Sequence, residues 1–225
     1  MATLQKGDKG GLVRSLQGKL TKLGYDTKGI DGDFGKNTES ALKEYQKKEG
    51  LPVTGVADDA LLSRLGIATG KENFFTKVIE KDPRYLSTKC IDDINLLEPV
   101  FRDKVQQIIK EAKDLGVKLM VYETYRSQER QEQLYKEKVT KLKKVGVHHY
   151  GLACDLVRNV GGEPSWKGDF SFLGQLAQKY HLVWGGLWTS IDDPYHLQAI
   201  AVEDQNALFA GEFYPDENYD SIGFA

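Results

Sequence analysis

Cysteine is scarce in this sequence, and long apolar runs are absent. Only Cys90 and Cys154 occur among 225 residues, too far apart in sequence to indicate the disulfide framework of a small secreted domain. No apolar run approaches the roughly 20 residues that cross a bilayer as a helix, so we expect no membrane insertion. The first eight residues lack the apolar stretch of a secretory signal, which predicts synthesis and first residence in a reducing cytoplasm.

Net charge is also low. The formal charge is −2, so no overall basic field indicates a nucleic acid or an anionic membrane as partner. The stretch 199–225 has no Lys or Arg, and its acids are Glu203, Asp204, Glu212, Asp216, Glu217 and Asp220. A solvated surface is the simplest interpretation of this acidic stretch. Hydrophobic residues make up 40% and charged residues 28%, an ordinary globular composition that suffices for one large domain or two small ones.

Apolar spacing predicts a three-helix bundle over residues 1–68. Each segment repeats its apolar residues at helical steps and ends at a glycine, namely Gly24, Gly50 or Gly66. The positions predicted to face inward are Leu12, Leu16, Leu20 and Leu23, then Thr38, Ala41, Leu42 and Tyr45, then Ala60, Leu61, Leu62 and Leu65.

The segment Asp31-Gly32-Asp33 resembles the start of a calcium loop, because such loops begin with alternating acids. The twelfth position is Leu42, where a calcium loop needs a bidentate Glu. We therefore predict a turn whose aspartate side chains bind the backbone.

These turns and helix positions resemble the three-helix peptidoglycan-binding domain of cell-wall hydrolases. The resemblance covers essentially the whole segment and implies bacterial peptidoglycan as the partner. It does not assign the residues that contact glycan. The matching positions are Gly7-Asp8-Lys9-Gly10, Leu16-Gln17, Leu23-Gly24-Tyr25, Asp31 to Gly35, Thr38, Ala41, Gln46 and Gly50 to Gly55.

Residues 69–77 lose periodicity and predict a linker to a second domain over residues 78–225. Two joined modules raise each other's effective concentration on a polymeric substrate. The second segment alternates helical and strand patterns, which predicts an α+β domain with helices packed on a small antiparallel sheet. The predicted helices follow Pro99, Ser127 (continuing to Lys144) and Phe172, and the predicted strands are 117–122, 153–157 and 195–198.

Three residues of the second segment could form an open zinc site. His148 and Asp155 are seven positions apart, and His196 lies further along with Asp193 three residues before it. Two histidines and one carboxylate leave a fourth position for water in many zinc hydrolases. Spacing alone is a weak signal.

Four motif blocks strengthen it. They are Tyr125-Arg126-Ser127-x-x-x-Gln131, His148-x-x-Gly151-x-Ala153-x-Asp155, Trp184-Gly185-Gly186 and Asp193-x-x-His196-x-Gln198. In this order they resemble the zinc D,D-carboxypeptidase and L-alanyl-D-glutamate peptidase family, which includes VanY-type carboxypeptidases and several phage endolysins. The resemblance covers roughly residues 86–199 and implies a VanY/Hedgehog-like fold.

That resemblance implies His148, Asp155 and His196 as zinc ligands, Asp193 as general base and Arg126 as a second catalytic residue. Zinc lowers the pKa of its bound water to about 7, and a carboxylate can move the proton to the leaving amine. The fork of Arg126 suits a substrate carboxylate or a developing oxyanion, although pairing with a structural acid is the plainer alternative. Asp192 could exchange roles with Asp193.

We assign Gln131, Ser127, Trp184 and His149 to substrate binding. Gln131 could equally support Arg126, and Trp184 and Trp188 could be core or pocket wall. His149 competes with His148 as ligand, but adjacent side chains on an extended segment diverge, and the spacing to Gly151 and Asp155 selects His148. Strand alternation turns Cys154 towards the core.

The family usually has a serine two residues before the first ligand histidine, where this chain has Gly146. The resemblance implies a monomeric endolysin that waits in the host cytoplasm until lysis and then cuts L-alanyl-D-glutamate bonds of the wall. The alternatives are a D-alanyl-D-alanine carboxypeptidase and a non-catalytic wall-binding protein with structural zinc.

Overall fold

A computed structural model describes residues 3–67 and 81–221, and the fold is α+β. Contacts between residues divide the chain into two compact units, 1–73 with 201–225, and 74–200. The predicted linker 69–77 and the predicted domain start at residue 78 lie outside the described residues. Within the described ranges no helix is both long and apolar enough to cross a membrane.

The first unit contains the predicted three-helix bundle. Its helices are α1 (Gly11–Lys22), α2 (Lys36–Lys48) and α3 (Asp59–Arg64), and strands β1 (Thr3–Leu4) and β2 (Ala57–Asp58) pair antiparallel beside them. Gly24 has a φ of +88°, a backbone conformation in which glycine ends a helix at no steric cost. Leu23, the last residue of the predicted apolar stripe, is 44% exposed because α1 ends one residue before it.

The turn at Asp31 has the predicted form. The Asp31 carboxylate accepts a hydrogen bond from the backbone N–H of Asp33 at 2.9 Å and another from the Gln17 side chain at 2.8 Å. The side-chain amide oxygen of Gln17 in turn accepts a hydrogen bond from the Gly32 N–H. Phe34 is fully buried, so this turn is tied to the core of the bundle.

The C-terminal segment packs with the helical bundle, whereas the sequence boundary assigned it to the second domain. This segment consists of a 3₁₀ turn (Val202–Asp204), helix α7 (Gln205–Ala210) and an irregular stretch up to residue 221. Its Leu208 and Phe213 are buried. The helix in this segment is only six residues long, so its apolar pattern cannot indicate from the sequence which surface the segment covers.

The second unit is built on one antiparallel sheet. Its strands are β3 (Leu119–Glu123), β4 (Ala153–Val160), β5 (Glu163–Ser165), β6 (Val183–Trp184) and β7 (His196–Gln198). The order is β3-β4-β7-β6, with β5 paired to the far end of β4. Helices α4 (Pro99–Asp114) and α6 (Ser171–Lys179) contribute apolar faces to a core that also contains Leu156 and Leu197.

Helix α5 (Gln128–Lys136) begins where the sequence predicts but ends earlier. Ser127 caps its N-terminus by accepting from the Arg130 N–H. The continuation to Lys144 was wrong: Lys138 has a φ of +62°, which is incompatible with a helix, and Val139 and Thr140, both β-branched, follow. The chain from 137 to 146 is irregular instead and returns beside Gln131.

Candidate metal centre

Sheet register brings Asp155 and His196 together. Asp155 on β4 lies directly opposite His196 on β7, and on its other side it lies opposite Glu123 on β3. Directly opposed residues of adjacent strands share one face of the sheet. The His196 Nδ1 atom lies 3.1 Å from Asp155 Oδ1.

His148 reaches the same carboxylate from outside the sheet. It belongs to a 3₁₀ turn (Val147–Tyr150), so the extended geometry used to choose between the adjacent histidines was wrong. Gly151 ends this turn with a φ of +67°, and a Cβ there would lie 2.5 Å from the Leu96 carbonyl oxygen. The turn therefore fits tightly, and it places His148 Nε2 at 3.4 Å from Asp155 Oδ1.

Both histidines present a ring nitrogen to Asp155. The Nδ1 of His148 lies 2.9 Å from the backbone carbonyl oxygen of Thr124, which can only accept, so this nitrogen carries the proton and Nε2 is left with its lone pair. The Nε2 of His196 faces the Gln198 amide oxygen at 3.1 Å, and the Gln198 amide nitrogen donates to the Ile200 carbonyl. The His196 Nδ1 atom faces the Asp155 carboxylate, so it either donates a proton to that carboxylate or, with a cation between them, serves as a ligand.

One ligand atom from each of His148, Asp155 and His196 lies within 4.8 Å of the others. The buried Nε2 of His148 has no hydrogen-bond partner among the described residues. Imidazoles oriented by carbonyl acceptors on their second nitrogen are typical of metal ligands. The donor set of two nitrogens and one oxygen therefore fits a zinc ion, with a fourth position left open.

Electrostatics favour an ionised carboxylate at the centre. Burial by itself would raise the pKa of Asp155, but His148 and His196 hold that pKa well below its usual range. Burial opposes protonation of His196, yet the hydrogen bond to Asp155 raises the pKa of its imidazole. An ionised acid between two imidazoles is the charge state that binds a divalent cation.

Asp193 lies beside this group, whereas Asp192 is exposed. Burial raises the pKa of Asp193, and its carboxylate interacts electrostatically with His196, Asp155, His148 and Arg126. A carboxylate with a raised pKa is a better proton acceptor near neutral pH. The arrangement supports Asp193 rather than Asp192 as the predicted base.

Arg126 pairs with acids, as the alternative interpretation of this residue in the sequence analysis predicted. Its Nε donates to Glu123 at 2.7 Å, and its Nη2 lies 3.1 Å from Asp155 Oδ2 and also contacts Glu123. These acids raise the pKa of Arg126 against the effect of burial. The guanidinium is thus fixed against the carboxylate oxygen of Asp155 that faces away from the histidines.

Gln131 and Ser127 are buried behind Arg126. The Gln131 oxygen lies 3.5 Å from Arg126 Nη1, and its amide nitrogen donates to Thr140 and the Leu142 carbonyl. Ser127 caps α5 and donates to the Ser87 carbonyl. The structure gives Gln131 a place beside Arg126 and Ser127 a capping role, and their substrate contacts stay predictions.

Trp184 and Trp188 line different parts of the site. The Trp184 indole donates to the Pro194 carbonyl at 2.8 Å and packs on Gly174, so it holds the loop before His196. The Trp188 ring lies 5.0 Å from that of His196 and forms a wall. The predicted substrate contact of Trp184 stays a prediction.

His149 is buried behind the ligands. Its Nδ1 accepts from the Gly146 N–H at 3.1 Å, and its buried Nε2 has no partner among the described residues. Burial and the nearby Arg126 lower the pKa of His149 to about 3, so the ring is neutral. His149 is absent from the group of metal-ligating atoms. Cys154 lies in the core beside Leu156, as strand alternation predicts.

Sequence reasoning missed Glu123, Arg130 and the Thr124 carbonyl. Glu123 is 1% exposed and lies two residues before the Tyr125-Arg126 motif, where the sequence reads only as the end of a strand. The signal that could have found it is a lone acid at the end of an apolar strand, three residues from an arginine.

Two family models match the chain. Residues 9–65 match a putative peptidoglycan binding domain, and residues 95–185 match VanY, described as D-alanyl-D-alanine carboxypeptidase. The two matches cover different parts of the chain and do not overlap. The motif blocks at Arg126, His148 to Asp155 and Trp184 fall inside the second match, whereas Asp193 and His196 follow it.

Curated relatives divide between the two domains. The spore cortex-lytic enzyme of Bacillus cereus is 44% identical over 54 residues, which are 24% of this chain and 21% of the relative. This chain therefore spans about a fifth of that relative's length. The peptidoglycan L-alanyl-D-glutamate endopeptidase CwlK of Bacillus subtilis is 25% identical over 123 residues, with 46% of this chain and 74% of the relative covered.

Among solved structures, the L-Ala D-Glu endopeptidase ChiX of Serratia marcescens aligns with 50% of this chain and 90% of its own. The identity is 19% and the TM-score 0.41.

Proposed function

We propose that this protein is a zinc-dependent peptidase that cuts the stem peptides of bacterial peptidoglycan, with the helical unit holding it on the wall. The observation that carries the proposal is the convergence of His148, Asp155 and His196, with one ring nitrogen of each histidine facing one ionised carboxylate. The two family matches supply the substrate class.

His148, Asp155 and His196 would hold the zinc ion. When bound, zinc supplies Lewis acidity, which makes water a nucleophile near neutral pH. Asp193 accepts the proton of the attacking water and returns it to the leaving amine, a role that its raised pKa favours. Arg126 holds Asp155 in place from the opposite side and adds positive charge near the developing oxyanion.

The bond that we favour is L-alanyl-D-glutamate. The 25% identity to CwlK, which covers 74% of that endopeptidase, supports it. The alternative is removal of terminal D-alanine, which the VanY description supports. Mass spectrometry of digested wall separates them: new D-glutamate amine termini are expected, whereas release of terminal D-alanine alone would overturn the endopeptidase assignment.

Replacement of the base tests the catalytic claim. Asp193→Ala is expected to keep zinc and wall binding and to lose most hydrolysis, because the attacking water then has no proton acceptor. General-base catalysis contributes about 10²–10⁴-fold, so the loss should fall in that range. The exposed neighbour provides the matched control, since Asp192→Ala should hydrolyse at the normal rate. Normal lysis by Asp193→Ala would refute the assignment.

A non-catalytic wall-binding protein is the proposal of another class. Structural zinc is usually closed by four protein ligands, and the three ligands here leave a position open.

We extend the enzymatic proposal to a monomeric endolysin that reaches the wall when a phage-infected cell is opened. Lysis of a host from within on induced expression with a membrane-permeabilising partner, and its loss in Asp193→Ala, would support that extension.

A further inference from the structure

Glu123 is a buried carboxylate next to the candidate metal centre, and the catalytic steps above make no use of it. It is 1% exposed at the end of β3, directly opposite Asp155 on β4. Like charges directly opposite each other on a sheet repel, and a buried charge without a partner is costly. The pair therefore needs a cation to be tolerated.

Two arginines supply this positive charge. Arg126 lies between the two carboxylates and contacts both of them. Arg130, in the first turn of α5, places its Nε 3.3 Å from the second Glu123 oxygen. Glu123 thus uses one oxygen for Arg126 and the other for Arg130, and its contacts with Nε and Nη2 of Arg126 hold the guanidinium beside Asp155.

We propose that Glu123 is a positioning residue that sets the charge of the metal centre. It holds Arg126 against Asp155 and offsets the positive charge that Arg126 and Arg130 place beside a divalent cation. This inference rests on the proposed zinc site. Around that site the acids Asp155, Asp193 and Glu123 face the cations Arg126 and Arg130, so loss of Glu123 removes the negative excess and loss of Arg130 increases it.

Zinc affinity of the full chain, measured by competition with a chromophoric chelator, tests the proposal. Glu123→Gln keeps the shape and one acceptor oxygen while removing the charge. We expect it to weaken zinc binding about 10–100-fold, the usual cost of removing a group that supports metal ligands. Arg130→Gln should bind zinc as tightly as the unchanged protein or more tightly, and the double variant should return to within about threefold of it.

The two substitutions are expected to change zinc affinity differently, and this difference distinguishes an effect of charge from a general loss of structure. Unchanged zinc affinity in Glu123→Gln, or weakening by Arg130→Gln as large as that by Glu123→Gln, would overturn the proposal. Should Glu123→Gln fail to fold, Arg130→Gln decides alone: zinc affinity equal to or above that of the unchanged protein supports the proposal, and a weakening of about tenfold or more overturns it. Glu111→Gln, which removes a partly exposed acid paired with Lys179, is the control and should leave zinc affinity unchanged. Absence of zinc from the unchanged protein would instead defeat the proposed function.

A second and independent observation concerns the surface of α1 that meets the C-terminal segment. Gly11, Ser15 and Gly18 follow one another at helical steps of four and three, which puts them on one face. A Cβ at Gly11 would lie 2.5 Å from the Phe213 ring, and a Cβ at Gly18 would overlap the backbone oxygen of Asn218. Glycine at these positions therefore lets the segment approach the helix backbone.

Charged and polar contacts fasten the same segment. Arg14 on α1 forms ion pairs with Glu203 and, at 3.0 Å, with Asp204. The Tyr219 hydroxyl donates to Asp204 at 2.9 Å and accepts from the Ala201 N–H at 2.7 Å. Asp204 is buried, so these contacts lie inside the first unit and not on its surface.

We infer that residues 201–221 form the second piece of the wall-binding module, so that this module is built from both ends of the chain. The peptidoglycan-binding match ends at residue 65 and the VanY match at residue 185, so this piece belongs to neither. The inference rests on the proposed wall-binding role. It predicts that wall binding needs the C-terminal segment although that segment follows the peptidase domain.

The test compares the full chain with a chain truncated after Ile200, each with Gly or Ala at position 18. Truncation should lower the unfolding midpoint of the helical unit and reduce co-sedimentation with insoluble peptidoglycan, while hydrolysis of a soluble stem peptide continues. Gly18→Ala should lower that midpoint in the full chain, because its methyl group collides with the segment. In the truncated chain it should raise the midpoint, since Ala favours helix by about 1 kcal/mol.

The sign reversal is specific to packing of the segment on α1. Equal midpoints and equal wall binding with and without residues 201–225, or the same sign for Gly18→Ala in both chains, would overturn the inference. If neither chain sediments with walls, the proposed wall-binding role fails instead, and the midpoints still decide whether the segment completes the unit.

Discussion

Two arginines with little solvent exposure, one in each unit, pair with acids in different ways. Arg14 in the helical unit pairs with Glu203 and Asp204, which come from a segment nearly 190 residues along the chain. Arg126 in the peptidase unit pairs with Glu123, three residues away, and with Asp155, a candidate metal ligand. Arg14 joins parts of one unit that are distant in sequence, and Arg126 contacts the candidate metal centre.

Their surroundings explain the difference. Arg14 also donates to the Ile30 carbonyl at 3.0 Å, so its partners among the described residues are two acids and a backbone carbonyl. Beside Arg126, a ring nitrogen from each of two histidines faces the Asp155 carboxylate that the guanidinium holds. A buried ion pair alone is therefore no sign of function. The ion pair of Arg126 differs because the other oxygen of its acid, Asp155, faces two histidines that could bind a metal ion together with it.

Removal of Arg14 should have the largest effect on stability. Arg14→Met leaves Asp204 buried without its cation, and breaking a buried pair in this way costs about 3–5 kcal/mol. Differential scanning calorimetry should show a lower midpoint for the helical unit and normal hydrolysis of soluble stem peptide. An unchanged midpoint would contradict the structural role of this arginine.

Metal removal should act on the other unit. A ligand at 1,000 times its dissociation constant stabilises the folded state by about 4 kcal/mol, so a chelator should lower the unfolding midpoint of the peptidase unit and abolish hydrolysis. The helical unit, which holds none of His148, Asp155 and His196, should melt unchanged. Equal loss of stability in both units would mean that zinc is not confined to this centre.

Substitution of Arg126 should mainly affect activity. Arg126→Met removes the cation that contacts both Glu123 and Asp155, leaves Glu123 with Arg130 alone and takes positive charge from the site, so kcat/KM should fall about 10²–10³-fold. Arg158→Met is a matched control, because Arg158 lies over the rings of Phe170 and Phe172 and does not contact Asp155. Similar losses from both substitutions would remove the distinction between site and scaffold.

Restoration of the family serine should have the smallest effect. Gly146 has extended backbone, and a Cβ there would lie 3.5 Å from the Gln131 oxygen that faces Arg126, an ordinary contact. Gly146→Ser should change the free energy of unfolding by less than about 0.5 kcal/mol and raise kcat/KM a few-fold. A tenfold loss of activity would show that the glycine is required beside Gln131.

Local sequence signals predicted much of the fold. Apolar spacing with terminal glycines located α1 and α2, Pro99 and Ser127 marked the starts of α4 and α5, and strand alternation placed Cys154 in the core. The signals for these elements depend on neighbouring residues alone. The convergence of His148, Asp155 and His196 was instead anticipated by the resemblance of the four motif blocks to the zinc peptidase family.

Long-range features were not predictable in the same way. The register that sets Glu123 beside Asp155 depends on the pairing of β3 with β4, and one residue of slip would separate them. The packing of Phe213 on Gly11 joins positions some 200 residues apart, and no periodicity carries that information. The sequence indicates a solvated surface for the acidic C-terminal stretch, because its buried partner Arg14 lies on α1, far away in the sequence.

The most direct test of the metal centre combines metal analysis with product identification on purified peptidoglycan. The full-length protein should carry one zinc per chain, lose it on replacement of His148 or His196 by alanine, and release fragments with new D-glutamate amine termini. Cleavage at an undiminished rate by a protein that holds no zinc, or by either histidine variant, would contradict the account.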